Sequence, residues 1–527
     1  MAKPFLLSLS LCFLFFTSSC FALFHKLNEC QLDKINALEP DNRVESEGGS
    51  IETWSSKHRE LQCAGVVVVK RTLNPRGLHL PSYTPAPQLV LIAEGEGAIG
   101  ITIPGCSETY EEAHSQSGQG RRKIQLDRHQ KIRHFKQGDI IAIPPGIPYW
   151  SYNYGDRRVV AIALIDTNNF ANQLDAIPRV FYLAGNPDTQ LPGTQGKQQG
   201  KEQEEEDEGG NVLSGFPKRF LAQALSVEEE IADKLQSPDE EKKQIVKVRE
   251  GLSVVSPTWK EGQEEEEEEE EGEEDEPRSR KHRRPRGGQE EEEVEEEERE
   301  TVTREHRQRR RPRKEEEEEE EEQQEQGGRG KGKGKGKGNS NGLEESICTL
   351  KLVENIARPS RADLYNPRAG RISTLDSLTL PVLRFLRLSA QYVVLYKNGI
   401  YAPHWNINAN GVMYVTRGSG KVRVVNCLGN SVFNGVLKRG QLLVVPQNFL
   451  VSQQAEEEGF EYVVFKTNDR ATSSHVKQVF RSIPAEVLAN AFGLQQSQVS
   501  QLKFNGNRGP LVHPGSQPRS IPRSLPY

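Results

Sequence analysis

The amino-acid sequence predicts a mainly β protein with two similar domains, each a β-sandwich or barrel. Three observations lead to this fold class. Short runs rich in β-branched residues recur at close spacing, separated by Gly and Pro and without a long helix among them, as in all-β domains. The second half of the chain repeats features of the first half in the same order, which indicates an internal duplication. Long Glu runs separate the two halves, and like charges of this kind cannot bury a core.

The first 22 residues predict a cleaved signal peptide. Lys3 supplies a positive start, residues 5–16 form an apolar core, and small residues lead up to Ala22, which is the usual order of such a segment. We expect cleavage between Ala22 and Leu23. The apolar run is shorter than the roughly 20 residues that a membrane-spanning helix needs, so the mature protein is expected in the secretory pathway without a membrane anchor.

The strands of the first domain follow from short apolar runs with turn residues at their ends. The predicted strands cover residues 65–69, 89–93, 98–103, 138–150 with a Pro-Gly turn inside it, and 158–166. Residues 190–213 are rich in Gln, Gly and Glu and are expected to be disordered. Residues 216–235 carry apolar side chains at helical spacing, which predicts an amphipathic helix with a break near Ser226.

Composition divides the mature chain into three parts. We assign residues 23–260 to the first domain with its helical extension, 261–341 to a disordered linker rich in Glu, Arg and Gly, and 342–527 to the second domain. From Gly342 to Tyr527 there are 21 Lys and Arg against 11 Asp and Glu, a net charge of +10; the whole chain carries −7, which leaves −17 before that point. The basic residues are not clustered, so a nucleic-acid partner is not expected. Calcium or other metal binding by the Glu runs is a weaker alternative to a solvated segment.

The repeat is visible in four separate features. The Gly-x-Gly turn, the Gly-x5-Pro turn, a Thr-Asn segment and the helical extension each occur twice. The matching pairs are residues 94–98 and 417–421, 136–144 and 438–446, 166–169 and 466–469, and 216–225 and 483–492. Because all four agree in order, a duplicated domain is the simplest explanation.

One motif points to a known family. Gly138, Pro144, Gly146 and Asn153 resemble, in type and spacing, the second signature motif of the cupin family. The second copy keeps only the first Gly and the Pro. Together with the signal peptide, the acidic linker and the stretch Asn-Gly-Leu-Glu-Glu-Ser-Ile-Cys at residues 341–348, the chain resembles a legumin-type seed storage globulin over essentially its whole mature length.

This resemblance implies a fold and a life history. The fold would be two tandem cupin (jelly-roll-like) β-barrels, each followed by a small helical extension. The function would be storage of nitrogen and carbon in seed protein storage vacuoles. An Asn-specific vacuolar protease would cut between Asn341 and Gly342, leaving an acidic and a basic chain. The precursor would form homotrimers, and the cleaved trimers would stack into hexamers.

Five cysteines remain after signal removal, and their spacing alone leaves the pairing open. An oxidising compartment favours two disulfides and one thiol. The resemblance implies that Cys30 pairs with Cys63 and that Cys106 pairs with Cys348, the second bridge joining the two chains after cleavage. Cys427 has no motif partner and is expected to be a buried small residue.

The resemblance also locates where a metal centre would lie, because cupin enzymes hold their metal with three His and a carboxylate. In the first copy the corresponding positions are residues 81–84, Gln88 and Tyr149, with His79 nearby at the wrong spacing. In the second copy they are His404, Asn406, Gly411 and Val451. Neither copy has a full ligand set, so no catalytic residue, cofactor or metal is expected.

Two alternatives stay open at this point. The chain could be a vicilin-like or carbohydrate-binding protein with two cupin domains, against which the Asn341-Gly342 bond argues. A metal-dependent oxidase of the cupin family is disfavoured by the missing ligands. The helices at 216–235 and 483–502 either pack within their own domains or contact a neighbouring subunit, and the two possibilities are equally supported.

Overall fold

The computed structural model of the protein describes residues 30, 32–108, 110–113, 126–185, 210–236, 243–252, 348–505 and 509–514. All of them belong to one compact unit. The signal peptide, the linker at 261–341, and the two predicted cleavage points at Ala22–Leu23 and Asn341–Gly342 lie outside the described residues. In the part of the chain that is described, no helix is long and apolar enough to cross a membrane.

The first barrel is built from antiparallel strands in two main sheets. The seven-stranded sheet has the order β1-β2-β3-β12-β5-β10-β15. Its strands are β1 (Asn42–Ser46), β2 (Gly49–Trp54), β3 (Val66–Leu73), β5 (Gln88–Glu94), β10 (Asp139–Ile143), β12 (Val159–Asp166) and β15 (Val353–Asn355).

The facing sheet of this barrel has the order β13-β4-β11-β6-β9, with β14 paired to β4. Its strands are β4 (Gly77–Tyr83), β6 (Glu96–Ile101), β9 (Ile132–Lys136), β11 (Tyr149–Tyr152), β13 (Phe181–Tyr182) and β14 (Ile245–Lys247). A separate hairpin pairs β7 (Tyr110–Ala113) with β8 (Leu126–His129).

The strand predictions for the first domain are confirmed. Residues 66–69, 89–92 and 140–143 are buried throughout, because these central strands are covered by neighbouring structure on both faces. The turn between β10 and β11 also follows the motif, since Gly146 has a φ of 73°, a conformation that Gly adopts without steric cost.

The second barrel is a ten-stranded antiparallel arrangement that repeats this architecture. Two long strands, β20 (Gly411–Val425) and β23 (Leu450–Lys466), pair along much of their length and form its frame. The other strands are β16 (Leu364–Asn366), β17 (Gly370–Leu375), β18 (Ser389–Leu395), β19 (Ile400–Asn406), β21 (Ser431–Lys438), β22 (Leu442–Val445), β24 (Ser473–His475) and β25 (Leu511–Val512). The predicted duplication is thus seen as two barrels.

Short helices follow or flank the barrels. They are α1 (Arg59–Ala64), α2 (Lys218–Leu225), α3 (Glu229–Gln236), α4 (Leu383–Leu386), α5 (Val476–Ser482), α6 (Ala485–Phe492) and α7 (Gln496–Phe504), together with a 3₁₀ turn at Pro359–Arg361. The predicted break near Ser226 is confirmed: Ser226 has a φ of 57° and ends α2, and α3 begins at Glu229.

One boundary of the predicted disordered insert is wrong. Residues 210–213, which were expected to be disordered with 190–209, form an ordered turn. Asn211 is buried, its side-chain amide donates to the Leu235 carbonyl oxygen at 2.7 Å, and Val212 N–H donates to the Tyr182 carbonyl oxygen at 2.9 Å. These bonds tie the helical pair to the barrel, and a polar composition gives no sign of them.

The two barrels exchange segments, which the predicted domain boundaries did not include. Leu32 and Ile35, from the first predicted domain, are buried in the core of the second barrel. In the other direction, β15 lies after the linker yet pairs with β10 of the first barrel, with Asp139 opposite Asn355. Each barrel is therefore completed by residues from the other half of the chain.

Candidate metal centres inside the two barrels

In the first barrel, the residues at the expected ligand positions form a small buried polar cluster. The Tyr149 hydroxyl donates to Gln88 Oε1 at 3.3 Å. The His79 ring stacks on the Tyr149 ring, with centroids 5.4 Å apart. Residues that sequence spacing kept apart are thus brought together, because β4 and β11 are paired neighbours and Tyr149 lies opposite Ser82.

A cation accompanies this cluster. Arg71, on the opposite sheet, places its guanidinium carbon 6.0 Å from the centre of the Tyr149 ring. Both ring nitrogens of His79 and the Ser82 hydroxyl have no hydrogen-bond partner among the described residues. Burial first, and then the charge of Arg71, lower the pKa of His79 well below its usual value. A second cation would be repelled here, so the site is unsuited to a metal ion.

Sequence reasoning missed Arg71. The only indication in the sequence was that Arg71 follows four buried valines in the same strand, at a spacing that places its side chain on the inward face. A charged residue near the end of a strand is normally expected to face solvent. Arg71 instead faces inward, where it contacts Tyr149 across the barrel.

In the second barrel, His404 lies on β19 and is buried. Its ring stacks on Tyr401 at 3.8 Å between centroids and lies 5.7 Å from the ring of His475. His404 Nδ1 donates to the Ala402 carbonyl oxygen at 2.9 Å. Burial lowers the pKa of His404 to about 3, with smaller contributions from the charges of His475 and Lys466. The imidazole is therefore neutral at physiological pH and acts as a packed ring.

The other expected ligand positions of this barrel serve the fold. Asn406 Oδ1 accepts from the Ser473 hydroxyl at 3.0 Å. At Gly411 a Cβ atom would come within 3.1 Å of Asn406 Nδ2, so the glycine permits this close approach. Val451 is a core residue that pairs with His404 across β19 and β23. None of these three groups replaces a lost carboxylate or imidazole ligand.

Sequence reasoning missed two further residues in this cluster. His475 pairs with His404 across β24 and β19, and the Tyr401 hydroxyl lies 3.3 Å from its Nε2. Lys466 is buried at the end of β23, and its ammonium donates to the Ser473 hydroxyl at 3.1 Å. Burial lowers the pKa of Lys466 to about 8. Both were missed because the chain segments that meet here are far apart in sequence.

Taken together, the donor sets do not fit a metal. Within the described ranges, no group of three or more His, Cys, Asp and Glu lies close enough to hold a metal ion. A buried cation occupies each candidate centre, Arg71 in the first barrel and Lys466 in the second. Lewis-acid chemistry at a protein metal site needs convergent neutral or anionic ligands, and here fixed positive charge takes their place.

The cysteines lie close to where the resemblance placed them. Cys106 and Cys348 form a disulfide with Cα atoms 5.5 Å apart and a sequence separation of 242. Because Cys348 comes just before β15, which pairs in the first barrel, the bond fastens the start of the second half to that barrel.

Cys30 and Cys63 are the other expected pair, and their side chains lie within hydrogen-bonding distance of each other. Both are thiols in this structure. Burial, and then the hydrogen bond to Cys30, raise the pKa of Cys63 to about 12. The fold thus brings the expected pair into contact. Cys427 was expected to be buried but is exposed, because it lies in the turn between β20 and β21.

The helical extensions bury few residues and expose many apolar ones. Leu221, Ala222 and Ala232 are buried in the first extension, and Leu488 and Val499 in the second. The apolar residues of the two extensions that stay largely exposed are Phe216, Phe220, Leu225, Ile231 and Leu235 in the first and Val487, Phe492 and Phe504 in the second. Each extension therefore has one apolar face against its own domain and another facing outwards.

Comparison with known proteins gives a consistent result. The sequence model of the cupin family matches residues 35–189 and 354–500, which are the two barrels. Glycinin G4 of Glycine max is 60% identical over 554 aligned residues, which cover 98% of this chain and 98% of that protein. Legumin J of Pisum sativum is 56% identical, with 99% of this chain and 100% of that protein covered.

A solved structure extends the likeness to three dimensions. The crystal structure of pumpkin seed globulin has a TM-score of 0.70 and 34% sequence identity to this chain. The superposition covers 92% of this chain and 100% of the pumpkin chain. The similarity therefore includes both barrels and their extensions, in the same order.

Proposed function

Because this chain belongs to the cupin family and, within it, to the legumin-type seed storage globulins, we propose that it is a seed storage protein, a reservoir of nitrogen and carbon. The observation that carries this proposal is the likeness to storage globulins over nearly the full length of both proteins. Likeness confined to one barrel would have indicated the fold alone, since cupin barrels serve several functions.

Composition supports a storage role. The chain is rich in Glu, Gln, Asn and Arg and has only two Met among 527 residues. Side-chain amides and guanidinium groups carry extra nitrogen. Long Glu tracts have no use in a packed domain, but they add amino acids to a reserve. The barrels then act as stable, dense carriers of this material.

The protein is proposed to have no enzymatic activity. The reason is the donor set of the barrels: Tyr149, Gln88 and Val451 stand where cupin enzymes have metal ligands, and Arg71 and Lys466 add positive charge. An oxidase of the cupin family would need the opposite charge balance. The likeness to a glycinin and a legumin over nearly the full chain favours storage over a carbohydrate-binding role.

We further propose that an Asn-specific vacuolar protease cuts the precursor between Asn341 and Gly342, and that a signal peptidase cuts between Ala22 and Leu23. The first cut would yield an acidic and a basic chain. The Cys106–Cys348 disulfide would keep them joined. In the secretory pathway we expect Cys30 and Cys63, already in contact, to oxidise to the second disulfide, because that compartment favours disulfides.

The assembly is proposed to be a homotrimer that stacks into a hexamer after cleavage. The outward apolar faces of the two helical extensions support this, because exposed apolar patches of this kind mark subunit contacts. Two similar domains in one chain suit a closed ring, in which the extension of one subunit packs against the next. The protein would be deposited in protein storage vacuoles.

A denaturing gel of the protein from seed tissue, with and without reductant, tests the proposal. We expect one band near the mass of the mature chain that splits on reduction into a larger acidic and a smaller basic piece, the latter with Gly342 at its N-terminus by Edman sequencing. A band that does not split would contradict the cut, and two separate bands already present without reductant would contradict the bridge. Metal analysis of the same sample should give no stoichiometric Mn, Fe or Zn, and a full equivalent would contradict the non-enzymatic role.

A further inference from the structure

The interior of the second barrel contains a small cavity next to Lys466. It has a volume of about 20 Å³, which is room for one or two water-sized groups. Its polar lining comes from Gln391, Tyr401, His404, Asn406, Gln453 and Tyr462, besides Lys466, and the rest is apolar. The cavity is therefore too small for an organic ligand but large enough for a monatomic ion.

Among the residues that the structure describes, the charge of Lys466 has no counterion. Lys466 is only 3% exposed, and it donates a hydrogen bond to the neutral Ser473 hydroxyl. Among the described residues no carboxylate makes an ion pair with it, and the lining of the cavity contains no Asp or Glu. Because buried charges in proteins are normally paired, we expect an anion to pair with this ammonium group.

Two other polar groups that line the cavity with Lys466 lack a hydrogen-bond partner among the described residues. The Tyr462 hydroxyl and Gln453 Oε1 are buried and have no hydrogen-bond partner among the described residues. The hydroxyl can donate to an ion in the cavity, and a side-chain amide can turn to present either its oxygen or its NH₂ group. Three groups able to donate thus surround one small space.

The other titratable groups around the cavity are neutral. Burial lowers the pKa values of His404 and His475, and burial raises the pKa of Tyr401 and of Tyr462 far above neutrality. The positive charge of Lys466 is consequently not balanced by any of its neighbours. An ion that enters would be attracted by one full charge and by neutral donors.

From these observations we propose that the cavity binds one monatomic anion, of the size of chloride or bromide, held by the Lys466 ammonium and the Tyr462 hydroxyl with the Gln453 amide as a third donor. A metal centre binds a cation, whereas this site would bind an anion. Its existence depends only on the geometry of the second barrel and not on the storage function.

Anomalous diffraction tests the proposal directly. Crystals of the protein grown in sodium bromide should show one strong bromine peak inside the second barrel, within hydrogen-bonding distance of Lys466 Nζ and the Tyr462 oxygen. Bromide peaks confined to the protein surface, with ordinary water density in the cavity, would overturn the proposal.

Thermal unfolding gives a second measurement in solution. At constant pH and ionic strength, replacing methanesulfonate by chloride should raise the Tm, and the shift should grow with the logarithm of chloride concentration above the Kd. The shift should disappear in Lys466→Met and shrink in Tyr462→Phe, which removes only a hydroxyl and should fold. Lys397→Met is the matched control, because Lys397 is an exposed lysine of the same barrel paired with Glu457; it should keep the full chloride response. An equal response in the wild type and both cavity variants would contradict the site.

Discussion

Leu38 and Leu442 exchange two backbone hydrogen bonds. Leu38 N–H donates to the Leu442 carbonyl oxygen at 2.7 Å, and Leu442 N–H donates to the Leu38 carbonyl oxygen at 3.2 Å. The Leu38 carbonyl oxygen also accepts from the indole N–H of Trp54 at 3.1 Å. Leu38 comes from the beginning of the mature chain and Leu442 from the second barrel. The pair therefore ties the N-terminal segment to the opposite half of the molecule.

This exchange predicts that the two chains stay together without a disulfide. After cleavage at Asn341, β15 of the basic chain would remain paired with β10 of the acidic chain, while Leu32 and Ile35 of the acidic chain remain in the second barrel. Reduction under native conditions should leave the elution volume in size-exclusion chromatography unchanged. Reductant with urea should separate the chains. Separation by reductant alone would show that the exchanged segments contribute little.

A single substitution tests the packing of the N-terminal segment. Ile35 is 2% exposed in the core of the second barrel, so Ile35→Ala should lower the free energy of unfolding by about 2–5 kcal/mol, as buried Ile-to-Ala changes do. Urea unfolding of the recombinant precursor measures it. Leu428→Ala is the control, because Leu428 is 76% exposed; its effect should stay within about 0.5 kcal/mol. Equal effects of the two changes would argue against the described packing.

The buried histidines predict acid sensitivity. His404 has a pKa of about 3 in the folded state against 6.5 as the ordinary value. Between these values the unfolded state binds more protons, so stability falls as pH drops from 6.5 towards 3. His404→Gln should flatten this fall, as measured by urea unfolding at several pH values. His513→Gln, on the partly exposed C-terminal segment, is the comparison. An unchanged pH profile for His404→Gln would mean that the ring is not held neutral by burial.

The exposed apolar faces of the helices predict that a charge introduced there prevents trimer formation. Phe220 and Val487 are 55% and 54% exposed, and Phe220→Glu or Val487→Glu should leave the monomer folded while preventing trimer formation, because a carboxylate would be buried unpaired in the contact. Analytical ultracentrifugation and circular dichroism report the two properties. Leu428→Glu, in a turn outside the helical extensions, should still form trimers. Trimers in the helix variants would move the subunit contact elsewhere.

Much of the fold could be predicted from the sequence because its signals are local. The runs at 66–69 and 140–143 carry β-branched residues between turn residues, and Gly146 permits a conformation that other residues avoid. The break at Ser226 follows from the change in helical periodicity. Because these features recur in the same order in the second half, the fold predicted for the first barrel applies to the second as well.

For the candidate site, the sequence predicted only which metal ligands are missing. Positions such as Tyr149 and Gln88 can be compared with a ligand motif residue by residue. The positive charges of Arg71 and Lys466 could not, because a charged residue near a strand end usually faces solvent. His475 was missed for another reason, because its contact with His404 depends on the pairing of β24 with β19.

By itself the sequence determined the β class, the duplication, the pairing of Cys106 with Cys348 through family resemblance, and the positions where ligands are missing. These depend on neighbouring residues or on motif spacing. Only the tertiary structure decided that Leu38 meets Leu442, that β15 completes the first barrel, and that Lys466 lies beside a cavity without a carboxylate. Contacts of this kind join segments that are distant along the chain, and they leave no periodicity or motif, because each depends on how both barrels close.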